Sequence, residues 1–403
     1  MPADWSTGTL ADLCSAVDYG FTASASPNPS AGPKFLRITD IRQGHLRWDD
    51  VPHVEIPPEK LASYMLADGD IVVARTGAFT GANAYVVPPV IAVFASYLVR
   101  LKAGPRLCSR FAYYFMQSQR YRDHVAGVVG GSAQPNASAK ALTQVEMPMP
   151  PLDEQHRIAA VLGALDDKIE LNRRMSETLF EIVHVTYMQS FRPRGLEDDP
   201  YDGDHPSDIW RTMPIARFTR VIYGAPFASS AFNSGGVGTP LLRIRDLKNH
   251  QTSVWTTEVH PSGHLVQPGD IVVGMDGEFR RYLWTGEAAW LNQRVCHLEP
   301  LDPVPRAYLH EALVDPLATI ERGKTGTTVI HLGKRDIDQV RLLWPGESAL
   351  RKFGERVEPM LDRATAASAE NRALAAIREA LLPKLVSGEI RITDAERVVA
   401  EVT

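Results

Sequence analysis

The sequence predicts an α+β fold: two similar, strand-rich globules separated by two long helices that pack on each other, with an internal repeat relating the halves. Three observations lead there. The pentapeptide GDIVV occurs at residues 69–73 and again at 269–273, short β-branched and aromatic runs fill 1–150 and 209–346, and an apolar stripe of helical period follows each globule.

The repeat is wider than one pentapeptide. Tyr19-Gly20 returns as Tyr223-Gly224, Leu36-Arg37-Ile38-x-Asp40 as Leu242-Arg243-Ile244-x-Asp246, Gly77-x-Phe79 as Gly277-x-Phe279, and Gln144-Val145 before Pro150 as Gln339-Val340 before Pro345. The order is kept while the offset drifts, as loop insertions and deletions would leave it. Asp70 and Asp270 read as turn residues leading into a strand, not as catalytic acids.

Within each globule, FLRI, DIVVAR, YVV and ASYLVRL, then LLRIRDL, DIVVGM and VCHLEPL, are punctuated by Gly, Pro, Asn and Ser, the signature of strands and turns. The later stretches RFAYYFMQSQRYRDHV and AYLHEALVDPLATI each read as one helix. After each globule the period becomes 4,3. In Asp153–Phe191 it passes through Ile158, Leu162, Leu165, Ile169, Asn172, Ser176, Leu179 and Val183. Its counterpart passes through Phe353, Val357, Met360, Ala364, Ala367, Asn371, Leu374, Arg378, Leu381 and Leu385. A lone helix would leave such a stripe in water, so the two are expected to pair, each over about 50 Å. The polar seam residues suggest a local shift of register that would bring in Ile182 and Ile377. The competing expectation is that each stripe docks on its own globule.

At 44% hydrophobic and 23% charged the chain is ordinary for a soluble protein of two to three domains. Asp4 and the lack of a basic n-region argue against a signal peptide, and the longest apolar stretch, Tyr85 to Val99, is interrupted by Pro88-Pro89. Cys14, Cys108 and Cys296 are isolated and read as reduced thiols of a cytoplasmic protein. The net charge of −5 is concentrated in one place. The connector 193–208 alone carries −5, while 1–150 stands at +1 and 209–346 at +2, which permits a basic face on each globule.

Catalytic motifs are missing where they would be expected. Ala318 stands where a Walker A glycine would precede Gly323-Lys324-Thr325, GGVG at 235–238 lacks the setting of a dinucleotide fingerprint, and Asp276-Gly-Glu278 has no following Lys and no counterpart in Thr76-Gly-Ala78. The twelve histidines fall singly, so no metal site is expected. There is no Asn-Pro-Pro-aromatic or Asp-Pro-Pro-Tyr run.

The segment PLDEQHRIAAVLGALDDKIELNRRMSETL (151–179) resembles the first central region of the specificity subunit of type I restriction-modification enzymes, and ALLPKLVSGEIRI resembles that family's C-terminal ending. The resemblance implies target recognition domain 1 at 1–150, spacer helix 1 at 151–192, an acidic linker at 193–208, target recognition domain 2 at 209–346, and spacer helix 2 with a C-terminal tail at 347–403. It further implies an antiparallel coiled coil, with each domain reading one half of a split, asymmetric target in double-stranded DNA and the helices setting the gap. The expected partners are two modification (methyltransferase) subunits and, where the system has them, restriction subunits. S-adenosylmethionine would belong to the modification subunits and ATP with Mg to a restriction subunit, with no cofactor in this chain. The reading from another class is a non-enzymatic coiled-coil adaptor whose globules bind protein or glycan ligands.

DNA contact would then fall to loops, because phosphates need Lys, Arg or small donors and base edges need forked or amide side chains. Candidates after GDIVV are Arg75, Thr76 and Asn83, with Arg280 and Arg281 in the second copy. Candidates before the long helices are Ser132, Gln134, Asn136 and Lys140, then Lys324, Thr327, His331, Lys334 and Arg335. The first copy fits the Gly-Ser…Gln-x-Asn run often found in the family at that place, whereas TVIH in the second departs from it.

Overall fold

A computed structural model describes the chain except residues 1, 3, 43–44, 47, 89–90, 130–135, 192–210, 325–329 and 401–403. The acidic linker at 193–208 therefore lies outside the described residues. The chain forms two compact units: residues 1–168 with 374–403, and residues 169–373.

Each unit is built on the same four-stranded antiparallel sheet. In the first the order is Cys14–Tyr19, Leu98–Ala103, Ile71–Ala74 and Asn83–Tyr85; in the second it is Thr219–Tyr223, Val295–Pro300, Ile271–Gly274 and Arg281–Leu283. The register repeats, with Val72 opposite Arg100 and Val272 opposite His297. A parallel pair accompanies each sheet, Lys34–Leu36 with Ala92–Phe94 and Leu241–Leu242 with Trp290–Leu291. An antiparallel pair joins the start of each globule to its end, Ser6–Thr9 with Glu146–Met149 and Arg211–Pro214 with Arg341–Trp344.

The repeated motifs are the local requirements of this frame. A Cβ on Gly20 or Gly224 would lie 2.2 Å or 2.0 Å from the carbonyl oxygen of Ala95 or Asn292, so only glycine lets the strands cross. Arg37 and Arg243 each close a one-turn 3₁₀ helix by donating the backbone N–H, at 2.8 Å and 3.0 Å, to Asp40 and Asp246. Gly69 and Gly269 take φ of +84° and +97°, and the next residue, Asp70 or Asp270, accepts from the N–H of Ala67 or Gln267 at 2.9 Å or 2.7 Å. Both aspartates thus serve the turn. Ile71–Ala74 and Ile271–Gly274 are buried on both faces, which explains continuous apolar text in place of alternation.

The two stretches expected as single helices are each broken. The first forms Ser109–Met116 and Gln119–Val129, with buried Ser118 between them accepting from the N–H of Tyr121 at 3.4 Å. The second forms Arg306–Ala312 and Val314–Gly323, where Pro316, lacking an N–H, sits in the first turn of the new helix.

The long helices run over Leu152–Phe191 and Glu347–Ser387. Within the second unit Asn172 Nδ2 donates to Glu370 Oε2 at 2.8 Å and to Asn371 Oδ1 at 3.0 Å, while Phe191 lies 5.1 Å, ring to ring, from Phe353. One number falls as the other rises, so the helices pair antiparallel. Within the first unit Asp166 accepts from Arg378 and from the Tyr114 hydroxyl, each at 2.7 Å. Ile158, Leu162, Leu165, Val183, Val357, Leu374 and Leu385 are buried as the stripe predicts, with Phe353 and Leu381 nearly so. Ile169, Leu179 and Met360 are only half-buried. The register shift expected toward Ile182 does not occur: Ile182 is 40% exposed and Val183 is 1% exposed, because the polar residues pair across the seam and do not need to leave it. Also in the first unit, Trp5 Nε1 donates to Glu154 at 3.1 Å, and a Cβ on Gly388, which ends the second helix at φ +72°, would lie 2.3 Å from Pro2 Cδ. Cys14, Cys108 and Cys296 are free thiols.

Asp166→Ala should cost the first unit about 3 kcal/mol, since it strands a half-buried guanidinium and a buried phenol; urea unfolding of variant and parent measures it. A second expectation concerns His250, whose Nδ1 accepts from Thr285 N–H at 3.3 Å. Burial, aided by the nearby Arg372, pushes its pKa down to about 4. The folded state then holds the neutral ring while the unfolded chain protonates near the ordinary value. Stability is therefore full above about pH 6.5 and is lost as pH falls from there toward 4, by on the order of 3 kcal/mol. His250→Gln should flatten the slope of unfolding free energy against pH in that window.

Candidate nucleic-acid interface

In the first unit three segments meet where the strand Ile71–Ala74 ends. The N–H of Arg75 donates to Tyr97 O at 3.0 Å, the N–H of Ala137 donates to Arg75 O at 2.9 Å, and Thr76 and Asn136 form an antiparallel bridge. The Arg75 guanidinium is a brace in this junction. It donates to Asn136 Oδ1 at 3.1 Å and to Ala137 O at 3.4 Å, and lies 5.0 Å over the ring of Tyr19, whose hydroxyl accepts from Ala139 N–H at 2.9 Å. Around it Tyr97 is 58% and Phe79 50% exposed, and the side chains of Asn136 and Lys140 face solvent.

The second unit repeats the junction bond for bond. Met275 N–H donates to Arg294 O at 2.9 Å, Leu332 N–H donates to Met275 O at 2.7 Å, and Asp276 bridges His331. What hangs on the frame differs. His331 Nδ1 lies 2.6 Å from Asp276 Oδ1 and 3.3 Å from Arg294 Nη1. One ring nitrogen cannot donate to the carboxylate and accept from the guanidinium together; the shorter contact assigns it to Asp276. Arg294 is left with a loose 3.6 Å contact to Asp276 and a half-exposed fork, on a backbone at φ +76° that a non-glycine residue seldom adopts. Lys334 and Arg335, at the start of the short helix Lys334–Asp338, are exposed, and Arg335 occupies the place of Lys140 in Ala139–Thr143.

Not every sequence candidate faces outward. Asn83 is 5% exposed, and its amide is consumed by Gly81 O at 3.0 Å, Met116 O at 3.2 Å and Gln117 Nε2 at 2.7 Å, so it is a core residue and not a reader. Arg281 is likewise withdrawn: Nε donates to His310 O at 3.0 Å beside Glu311, and burial lowers its pKa. Arg280 is held by Glu321, whose carboxyl is kept below its ordinary range by the Phe279 N–H and by Arg280 itself. Lys324 donates to Asp336 at 2.7 Å and lowers that carboxyl in the same way. Arg75 and Thr76 are half-buried in the junction. Ser132, Gln134 and Thr327 lie outside the described residues. Tyr97 and Arg294 were not anticipated. Their signal was the pair of strands LVRL and VCHL, since each residue immediately precedes one of them.

A profile of the type I restriction modification DNA specificity domain matches residues 2–180. The chain is 30% identical over 200 residues to the EcoBI specificity subunit of Escherichia coli, covering 48% of this chain and 42% of that protein, so the match spans less than half of that relative's length. It is 25% identical to the MjaIX specificity subunit of Methanocaldococcus jannaschii over 71% of this chain and 70% of that one. The type I restriction-modification system S subunit from M. genitalium has the same fold, at a TM-score of 0.57 and 16% identity over 95% of this chain and 96% of its own. Over residues 2–180 the chain thus matches the type I restriction modification DNA specificity domain, and it is similar to specificity subunits of type I restriction enzymes. No helix among the described residues is long and apolar enough to cross a membrane.

Asn83→Ala should lower stability by about 2 kcal/mol, because it leaves the Met116 and Gly81 carbonyls and the Gln117 amide without their partner. It should leave the preference for any DNA sequence unchanged, as paired unfolding and binding measurements would show.

Proposed function

We propose that this chain is the non-catalytic DNA sequence-recognition subunit of a type I restriction-modification assembly, each unit reading one half of a split target. One observation carries the reading: an identical three-segment backbone junction occurs twice and carries different side chains. Thr76, Tyr97, Asn136 and Lys140 stand in the first copy where Asp276, Arg294, His331 and Arg335 stand in the second. A constant frame with variable tips is what two unlike half-sites require. Arg294 offers the fork suited to guanine and Asn136 the amide suited to adenine, while Lys140, Lys334 and Arg335 suit phosphates. The reactive groups would come from partners: two modification subunits carrying S-adenosylmethionine for adenine methylation, and restriction subunits using ATP and Mg where the system has them. The paired helices would fix the gap between half-sites.

Co-expression with the methyltransferase subunit, followed by mapping of methylated adenines, tests this. A split, asymmetric motif is expected; a single continuous motif, or no methylation dependent on this chain, overturns it. Arg294→Ala should relax one half-site by about 1–3 kcal/mol of discrimination and Tyr97→Ala should alter only the other. The pair Lys334→Ala and Arg335→Ala should weaken all sequences alike and reduce the salt slope of binding by about 2. Inserting four residues in phase in both helices, roughly 6 Å of rise, should lengthen the tolerated gap by about two base pairs.

A further inference from the structure

The histidines that fall singly in the sequence do not all stay single in the fold. His264, just ahead of the strand Leu265–Val266, and His297, inside Val295–Pro300, come within 2.8 Å of each other, Nε2 to Nδ1. Asp270 Oδ1 lies 3.7 Å from His297 Nε2. One ligand atom from each of the three lies within 4.8 Å of the others. We propose that His264, Asp270 and His297 form a binding site for a divalent transition-metal ion of the zinc class, a site independent of DNA recognition.

The first copy supplies the reason a cation belongs there. Asp70, the equivalent of Asp270, faces Arg100 Nη1 and Lys102 Nζ, each at 4.0 Å, and Arg100 holds the register position that His297 holds in the second copy. The permanent positive charge beside the turn carboxylate has been replaced by two imidazoles. The second copy's nearby guanidinium, Arg220, is paired with Glu299 instead. Because Asp270 Oδ2 is already committed to the Gln267 N–H at 2.7 Å, Oδ1 is the oxygen left for an ion. Two imidazoles and a carboxylate are a ligand set suited to zinc, with ligand atoms roughly 3.3 Å apart around a tetrahedral ion. His297 faces His264 with Nδ1 and Asp270 with Nε2, and one imidazole gives a single nitrogen to an ion, so its ring must turn as the ion enters and the proton shared with His264 must pass to solvent. His264 and Asp270 are only half-buried, which leaves an entry path and room for a water ligand. The site lies at the start of Ile271–Gly274, at the end away from the Met275 junction, so the ion would staple three segments of the scaffold and take no part in reading.

The test is a titration of the full chain with cobalt(II) near neutral pH, followed optically, with zinc as competitor. One equivalent per chain, displaced by zinc, is expected. His264→Asn and His297→Asn should each weaken binding by about tenfold or more, with His331→Asn unchanged. Should His297→Asn fail to fold, zinc-dependent thermal unfolding of His264→Asn against the parent decides alone. A rise in midpoint confined to the parent supports the site. No binding, or equal cobalt binding or equal rises in the variants, overturns it and leaves a shared proton between the rings as the site's only cation. DNA binding by the same protein is a separate readout, so either conclusion can fail without the other.

Discussion

The strands Ile71–Ala74 and Ile271–Gly274 have no exposed face, and the rest of each unit is organised around that burial. A strand enclosed on both sides cannot slide by one residue without burying its polar neighbours, so its register is strongly fixed. The residue it delivers, Arg75 or Met275, therefore emerges at a set point and receives the same pair of backbone bonds from the two segments beside it. Precision at the surface descends from packing in the core, and the tips can change chemistry without disturbing the support.

The helical seam follows a related logic with polar groups. Asn172, Glu370 and Asn371 meet in the second unit, and Asp166, Arg378 and Tyr114 in the first. These contacts add less stability than leucines of similar volume would, yet they are satisfied in one alignment. A displaced register would leave a buried amide or carboxylate unpaired, at a cost of several kcal/mol. Asn371 also donates to Ile169 O at 3.1 Å, which ties the alignment to the backbone.

What the sequence disclosed and what it hid divide along locality. Gly69 and the Arg37–Asp40 turn were legible because each requirement is met within a few residues of chain, and Gly20 and the long apolar stripe, whose partners lie far along the chain, were legible because each appears twice. Asn83 was misread because its amide is satisfied 33 residues away at Met116, a partner no local pattern specifies. Arg281 was misread for the same reason, its acceptor being His310 O. The late helices were read as continuous because apolar period survives a break of one or two residues, Leu313 or Gln117-Ser118. The histidine cluster escaped notice because His264, just ahead of one strand, and His297, inside another, lie 33 residues apart in the chain.

The first unit is assembled from two separated stretches of chain, 1–168 and 374–403. Its four-stranded sheet comes from residues before 104 and several of its helices from 109–168, but the rest of its helix, with the Gly388 turn against Pro2 and the Arg157–Glu396 pair at 2.7 Å, comes from beyond residue 373. The second unit is one uninterrupted stretch, 169–373. During synthesis, then, the first unit is completed after the second: part of its apolar helix face stays uncovered while residues 169–373 are already made. An apolar helix face left uncovered over that interval is a site for aggregation.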